Sequence, residues 1–192
     1  MKMELNILIV GVGGQGTLLA SRIIGMIAAD LGLDCKLSEV HGMAQRGGSV
    51  VTHAKVAEVV TSPIIALHDA DIIIAFEKLE ALRYTNFLKE EGTIVVNNQE
   101  IFPMPVITGV RDYPQDIVGE LKLRAKKVIV IDALKIAEEI GNDKTVNVIM
   151  LGALAKYLGI AKQVVLSALK KCVKPQFFSI NELALEKGYE LE

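Results

Sequence analysis

Leu5-Asn6-Ile7-Leu8-Ile9-Val10 followed at once by Gly11-Val12-Gly13-Gly14-Gln15-Gly16 decides the fold. A short, almost wholly apolar run suits a strand buried on both faces of a parallel sheet. Four glycines in the next six residues make the tight turn into a helix. In a nucleotide-binding α/β unit the first glycine makes the turn. The second lets the backbone approach a pyrophosphate, and the third lets helix and strand pack closely. Such a loop aims free backbone N–H groups and the positive end of a helix dipole at an anion. Leu18, Leu19, Ile23, Ile27 and Leu31 then recur at helical spacing, and Gly32 is placed to cap that helix.

Outward from this unit, strands are predicted at Cys35–Val40, Ser49–Ala57, Asp71–Phe76, Ile94–Asn97 and Val128–Ile131. A short helix is predicted over Glu77–Leu88, another over Ile117–Ala125, and one capped by Asp132 and ended by Gly141-Asn142. Three of the five prolines fall between Ile101 and Gln115, which reads as an irregular excursion with one short edge strand at Val106-Ile107. Beyond Val146 the pattern is helical: Val148–Leu158, Lys162–Cys172 and Ser179–Lys187, with Asn147 placed as a helix cap. The expected fold is α/β: a doubly wound, three-layer, Rossmann-like and mostly parallel sheet with a C-terminal helical layer. Residues 1–192 form one domain, an α/β core over 1–145 and a helical tail over 146–192 packed on it.

Composition narrows the function. A net charge of −2 lacks the basic excess of a nucleic-acid binder. Hydrophobic residues make up 51% without a single tryptophan, so the core is aliphatic, or part of the apolar surface is covered by a partner. The glycine-rich run after Leu5 is unsuited to a membrane span and reads as a strand, which makes the chain cytoplasmic. Cys35 and Cys172 stand alone and belong to no zinc or iron–sulfur pattern. His41, His53 and His68 are too scattered for metal ligation, and no set of residues with the makings of a catalytic centre emerges. No catalytic or metal-binding residue is therefore assigned.

Two features point to binding. Glu39, at the end of the second strand and about 20 residues past the glycine loop, sits where a dinucleotide fold places its ribose-binding acid. It could equally pair with a neighbour such as Arg46. The second feature is His41-Gly42-Met43-Ala44-Gln45-Arg46-Gly47-Gly48-Ser49, which no dinucleotide fold requires. Arg46, flanked by Gln45 and two glycines, offers a fork of donors for a phosphate, a carboxylate or a partner's carbonyls, or is simply a turn residue. The candidate binding residues are Gly11, Gly13, Gly14, Gln15, Gly16, Glu39, Gln45, Arg46, Gly47, Gly48 and Ser49.

Gly11-Val12-Gly13-Gly14-Gln15-Gly16 followed by Ser38-Glu39-Val40-His41-Gly42-Met43-Ala44-Gln45-Arg46-Gly47-Gly48-Ser49-Val50 resembles the gamma-type subunits of the 2-oxoacid:ferredoxin oxidoreductases. Within them the likeness is to the small (beta) subunit type of the indolepyruvate enzymes. Asn147-Val148-Ile149-Met150-Leu151-Gly152-Ala153-Leu154 and the closing Phe178–Tyr189 stretch extend it over nearly the whole chain. The resemblance implies an anaerobic complex that oxidatively decarboxylates a 2-oxoacid to an acyl-coenzyme A and passes electrons to ferredoxin. It implies thiamine diphosphate and 4Fe-4S clusters on a large partner subunit, and none bound by this chain. Coenzyme A then becomes the possible ligand of Arg46 and the glycine loop. A pyruvate or branched-chain enzyme, and a free-standing NAD(P)-binding protein, are the alternatives.

Overall fold

The computed structural model describes residues 4–42 and 47–191. Six strands form one sheet: β1 Leu5–Val12, β2 Asp34–His41, β3 Ser49–Ala57, β4 Ala70–Ala75, β5 Leu88–Asn97 and β6 Lys127–Ile131, in the order β2-β3-β1-β4-β5-β6. β1, β4, β5 and β6 pair in parallel, whereas β3 lies antiparallel between β1 and β2. The expectation of a mostly parallel sheet holds, with β3 as its one antiparallel strand. The reason is chain length: a parallel neighbour needs a crossover of a dozen or more residues. Residues 42–48 are too few for that, so β2 and β3 form a hairpin.

Helices α1 Thr17–Asp30, α2 Lys78–Arg83, α3 Met104–Ile107, α4 Ile117–Arg124, α5 Ala133–Ile140, α6 Val146–Tyr157, α7 Lys162–Cys172 and α8 Phe178–Glu190 cover the sheet. Strand alternation divides the core. Ile7, Ile9, Ile72, Ile74 and Val95 face α1, α6 and α7, while Leu8, Val10, Ile73, Ala75, Ile94 and Val96 face α4 and the neighbourhood of α2. No helix among the described residues is long and apolar enough to cross a membrane.

Four expectations need correction. Val106-Ile107 lies in α3 rather than in an edge strand: Pro103 caps that helix and Pro105 sits in its first turn, where a missing N–H does no harm. Asn147 is inside α6, which begins after Thr145, so it is no cap. Asp132 precedes α5 without capping it; its carboxylate accepts from Asn98 Nδ2 at 2.8 Å, and the buried Asn97 Oδ1 receives the Ala133 N–H at 3.1 Å. Leu88 starts β5 instead of ending the helix before it, because the chain leaves α2 through a single tight turn at Thr85–Phe87.

The segment beyond residue 145 is integral to the core. Every residue from Val146 to Ala155 is buried, and α6 shares one apolar cluster with the sheet. α8 lies across its outer side, and two glycines let the backbones meet. A Cβ on Gly188 would stand 2.0 Å from the Ile149 carbonyl oxygen, and one on Gly152 2.5 Å from that of Leu185. Both obstacles are backbone, so neither moves aside cheaply. Gly188→Ala is expected to lower stability by about 1–3 kcal/mol despite its gain in helix propensity, a loss of several degrees in Tm.

His53 on β3 is also buried. Its Nδ1 accepts the Ile65 N–H at 3.1 Å, and Phe87 meets the ring edge-on at 5.8 Å. Burial pushes its imidazole below the usual value of 6.5. The unfolded chain therefore binds the proton first, so His53 contributes fully above pH 6.5 and its contribution is lost as pH falls through its lowered folded value. Denaturant unfolding across this range should show stability falling on acidification, and His53→Gln, which keeps an acceptor, should flatten that slope.

Candidate functional site

The strand order turns at β1: the chain leaves it through α1 toward β2 on one side, and returns to β4 on the other. In open α/β sheets the crevice outside the carboxyl ends at such a switch point is where ligands bind. Here that place is built from the glycine loop. Gly11 and Val12 are still in β1, Gly14 and Gly16 take φ of 107° and 80°, and α1 follows. Gly11 must be small because a Cβ would meet Phe76 at 3.2 Å. At Gly16 it would meet the Asn147 amide at 2.5 Å, whereas at Gly14 it would meet open space.

Gln15 fills the crevice instead of facing out of it. Its Oε1 accepts the Val12 N–H at 2.8 Å, and its Nε2 donates to the Phe76 carbonyl at 3.0 Å and to Gln99 Oε1 at 3.1 Å. Asn97, fully buried, donates to the same Phe76 carbonyl at 3.1 Å and to Gln99 Oε1 at 3.0 Å. Amide side chains thus tie together the ends of β1, β4 and β5. α1 has no side-chain cap and no acid in its first turn. Among the described residues the N–H groups of Thr17 and Leu18 have no protein partner, so the positive end of this helix faces outward.

The second loop lies beside the first. The Gly13 N–H donates to the Gly48 carbonyl at 2.8 Å, and the Gly47 N–H to the Gly13 carbonyl at 3.3 Å. The two glycine-rich segments are therefore a continuation of the β1–β3 ladder, which ends at Val12 opposite Ser49. Gln45 and Arg46 lie outside the described residues. Ser49 Oγ donates to the buried carboxylate of Glu80 and lies 3.3 Å from the Tyr84 hydroxyl. Glu80 also receives Arg83 Nε at 3.1 Å.

Glu39 is brought elsewhere. It sits on the edge strand β2 opposite Thr52, which itself faces Ile9 of β1, and it accepts the Thr52 hydroxyl at 3.2 Å. A ribose acid must stand on the strand beside β1. With β3 interposed, β2 lies two strand spacings away, roughly 10 Å. The geometry gives Glu39 a cross-strand partner and removes it from the glycine loop.

The sequence reading missed the acids beneath these loops. Glu77, 1% exposed, follows β4 and caps α2 by accepting the Glu80 N–H at 2.8 Å. It also accepts the Tyr113 hydroxyl at 2.6 Å and the Ile101 N–H at 3.3 Å. Burial pushes its carboxyl up, against these hydrogen bonds, and burial together with the Glu77 contact pushes the Tyr113 phenol up. The available signal was Glu77 immediately after an all-apolar strand, with Glu80 one helical turn on. The clefts of about 720 Å³, by β6 and Tyr157, and about 830 Å³, by Thr145 and Phe177, are lined by no residue of the glycine loop.

Cys35 and Cys172 lie in different elements, β2 and α7, and burial raises both thiols. A 4Fe-4S cluster needs four thiolates, so the residues of this chain do not fit one. Among the described residues no three His, Cys, Asp or Glu side chains gather to hold a metal ion. A Gln15→Ala substitution distinguishes a brace from a ligand group. As a brace its loss leaves the part-buried Val12 N–H without its acceptor and takes one of two donors from the Phe76 carbonyl, about 1–3 kcal/mol in unfolding of the isolated chain; a freely presented ligand group would leave stability unchanged.

Residues 6–191 match the family described as pyruvate ferredoxin/flavodoxin oxidoreductase. Among curated proteins, the indolepyruvate oxidoreductase subunit IorB of Archaeoglobus fulgidus is 40% identical over 191 residues, covering 97% of this chain and 94% of that one. Among solved structures, the pyruvate oxidoreductase subunit PORC from Thermotoga maritima superimposes with a TM-score of 0.73 at 22% identity, over 97% of this chain and 96% of that one. The 2-oxoglutarate:ferredoxin oxidoreductase from Magnetococcus marinus, solved with 2-oxoglutarate, coenzyme A and succinyl-CoA bound, gives a TM-score of 0.73 at 18% identity. It matches 98% of this chain but only 31% of its own. The outward-facing glycine loop and the loop paired to it thus stand on a fold that these subunits share, and the chain belongs to the pyruvate ferredoxin/flavodoxin oxidoreductase family.

Proposed function

We propose that this chain is the small, non-catalytic subunit of a cytoplasmic, ferredoxin-dependent 2-oxoacid oxidoreductase acting on indolepyruvate or another aryl pyruvate. The observation that carries this reading is the 40% identity to the Archaeoglobus fulgidus IorB subunit along nearly the full length of both chains. The pyruvate/ketoisovalerate common gamma subunit of Pyrococcus furiosus stands further off at 26%, which favours the aryl substrate over pyruvate or branched-chain 2-oxoacids. Thiamine diphosphate and the 4Fe-4S clusters reside on the large partner subunit, which decarboxylates the 2-oxoacid, passes the acyl group to coenzyme A and the electrons to ferredoxin. The cofactors supply that chemistry, and this chain supplies a wall and interface area.

The carboxyl end of the sheet is the face we assign to that role. The outward N–H groups at the start of α1 suit a phosphate of coenzyme A. Gly14 leaves the loop open to close approach, and Gly13, Gly47 and Gly48 hold the second loop against the first. Gln15 and Ser49 act as braces rather than as ligand groups, being bound to Phe76, Gln99 and Glu80. From the sequence alone, Gln45 and Arg46 are assigned to the same role, the Arg46 guanidinium suiting the partner or a coenzyme A phosphate. The free-standing dinucleotide-binding alternative loses its main support with Glu39, which is paired across strands to Thr52.

Purified alone, the chain should contain neither iron nor thiamine diphosphate and should not oxidise 2-oxoacids. Co-expression with the large subunit should give ferredoxin-dependent oxidation, and turnover by this chain alone would sink the reading. Arg46→Ala should leave the isolated subunit folded, since a charge in a short glycine-flanked connection contributes little to stability. In the complex it should weaken association, or raise KM for coenzyme A, at least tenfold, as loss of one partner of a buried charged pair costs about 2–5 kcal/mol. Values within a factor of two of wild type would reduce Arg46 to a turn residue.

A further inference from the structure

Glu77 joins three segments that are remote in sequence and has no role in the reading above. One carboxylate caps α2, takes the Ile101 N–H at the start of the proline-rich excursion, and takes the Tyr113 hydroxyl near its end. Phe102 stacks on Tyr113 with ring centroids 5.1 Å apart, and the Lys78 N–H donates to the Gln99 carbonyl at 3.0 Å. Gln99 in turn touches Gln15 of the glycine loop at 3.1 Å. The excursion is therefore fastened at both roots, and to the same end of the sheet as the two glycine-rich loops.

A segment held so firmly would be expected to bury its apolar residues, yet this one turns them out. Phe102, Met104, Ile107 and Val110 are 50%, 66%, 63% and 72% exposed. Charge does not explain the exposure: Glu100 is paired with Lys78 at 2.7 Å, and Arg111 is followed directly by Asp112. An ordered apolar surface of this kind serves contact with another polypeptide. In the Magnetococcus marinus enzyme the matched unit is 31% of a longer chain, so there the same fold is joined to a large remainder.

We propose that Glu77 is a positioning residue that holds the Ile101–Tyr113 segment as a preformed lip against which the large subunit of the complex packs, continuous with the glycine-loop face. The proposal rests on the reading of that face as the one turned toward the large subunit. The buried carboxylate fixes the lip before the partner arrives, which reduces the ordering that association would otherwise require.

The test uses the two-subunit complex together with the isolated chain. Glu77→Gln places an amide N–H where the carboxylate accepts a bond, so at least one of its three contacts fails; Tyr113→Phe removes one contact only. Tryptic cleavage after Arg111 in the isolated chain, mapped by mass spectrometry, should quicken at least tenfold in Glu77→Gln and less in Tyr113→Phe. Association with the large subunit should weaken at least tenfold in Glu77→Gln, while kcat of the saturated complex stays within twofold. Met104→Asp, a change at an exposed position, should weaken association to a similar degree without altering cleavage. Quickened cleavage with association within twofold of wild type would overturn the proposal, as would Met104→Asp without effect on association. So would self-association of the isolated chain that Met104→Asp abolishes, which would assign the lip to a second copy. Gly14→Ala, whose Cβ meets nothing within 4 Å but whose φ of 107° strains the loop, tests the glycine-loop face separately, with unfolding of the isolated chain as its control. If it weakens the complex while the Glu77 and Met104 variants do not, only the lip is wrong; if it too has no effect, the reading of the face fails.

Discussion

Parallel strands that stop at a common edge leave carbonyls and N–H groups with no neighbour, and these must find partners because the sheet is buried on both faces. In this chain amide side chains provide them. Gln15 bridges Val12 of β1 to Phe76 after β4, Asn97 bridges Phe76 to the start of α5, and Gln99 accepts from both. Amides suit the task since each carries both a donor and an acceptor without the desolvation penalty of a charge. Everything outside the sheet at this end is positioned by that arrangement. The glycine loop is fixed by Gln15, the entry to α5 by Asn97, and the root of the excursion by Gln99.

The same arrangement separates this chain from a dinucleotide-binding domain that begins alike. There the crevice between diverging helices is left open for a pyrophosphate; here the Gln15 carboxamide occupies it. The β2–β3 hairpin acts in the same direction, since inserting an antiparallel strand beside β1 carries Glu39 to the sheet edge. What remains accessible is the outward turn of the loop, with Gly14 and the first N–H groups of α1, and the second loop laddered to it through Gly13 and Gly48.

Much of this was legible in the sequence, and the remainder was hidden for identifiable reasons. Ser49–Ala57 and Lys162–Cys172 coincide with β3 and α7, because β-branched alternation and helical spacing are local properties. Strand order is not local, and only the shortness of the 42–48 connection hinted that β3 would turn back. Pro103 and Pro105 looked like strand-edge or loop residues, since proline is equally at home in the first turn of a helix. The glycine loop was recognised, but the direction of Gln15 depends on Phe76 and Gln99, far along the chain. Glu77 and Glu80 were invisible for the opposite reason. A glutamate at the start of a helix is ordinarily a solvated cap, and only the return of Tyr113 and Ser49 over them makes them buried.

Burying two carboxylates one helical turn apart is unfavourable unless each is well supplied with donors. Glu77 has three, and Glu80 has a guanidinium and a hydroxyl. Both point their hydrogen bonds at the roots of loops. The electrostatic work of this end of the molecule is therefore spent on shape: one acid secures the end of the second glycine-rich loop through Ser49, the other both ends of the excursion. A subunit of this oxidoreductase family has to present its surface in one conformation. Charged hydrogen bonds, roughly twice as strong as neutral ones, give that fixity with few residues.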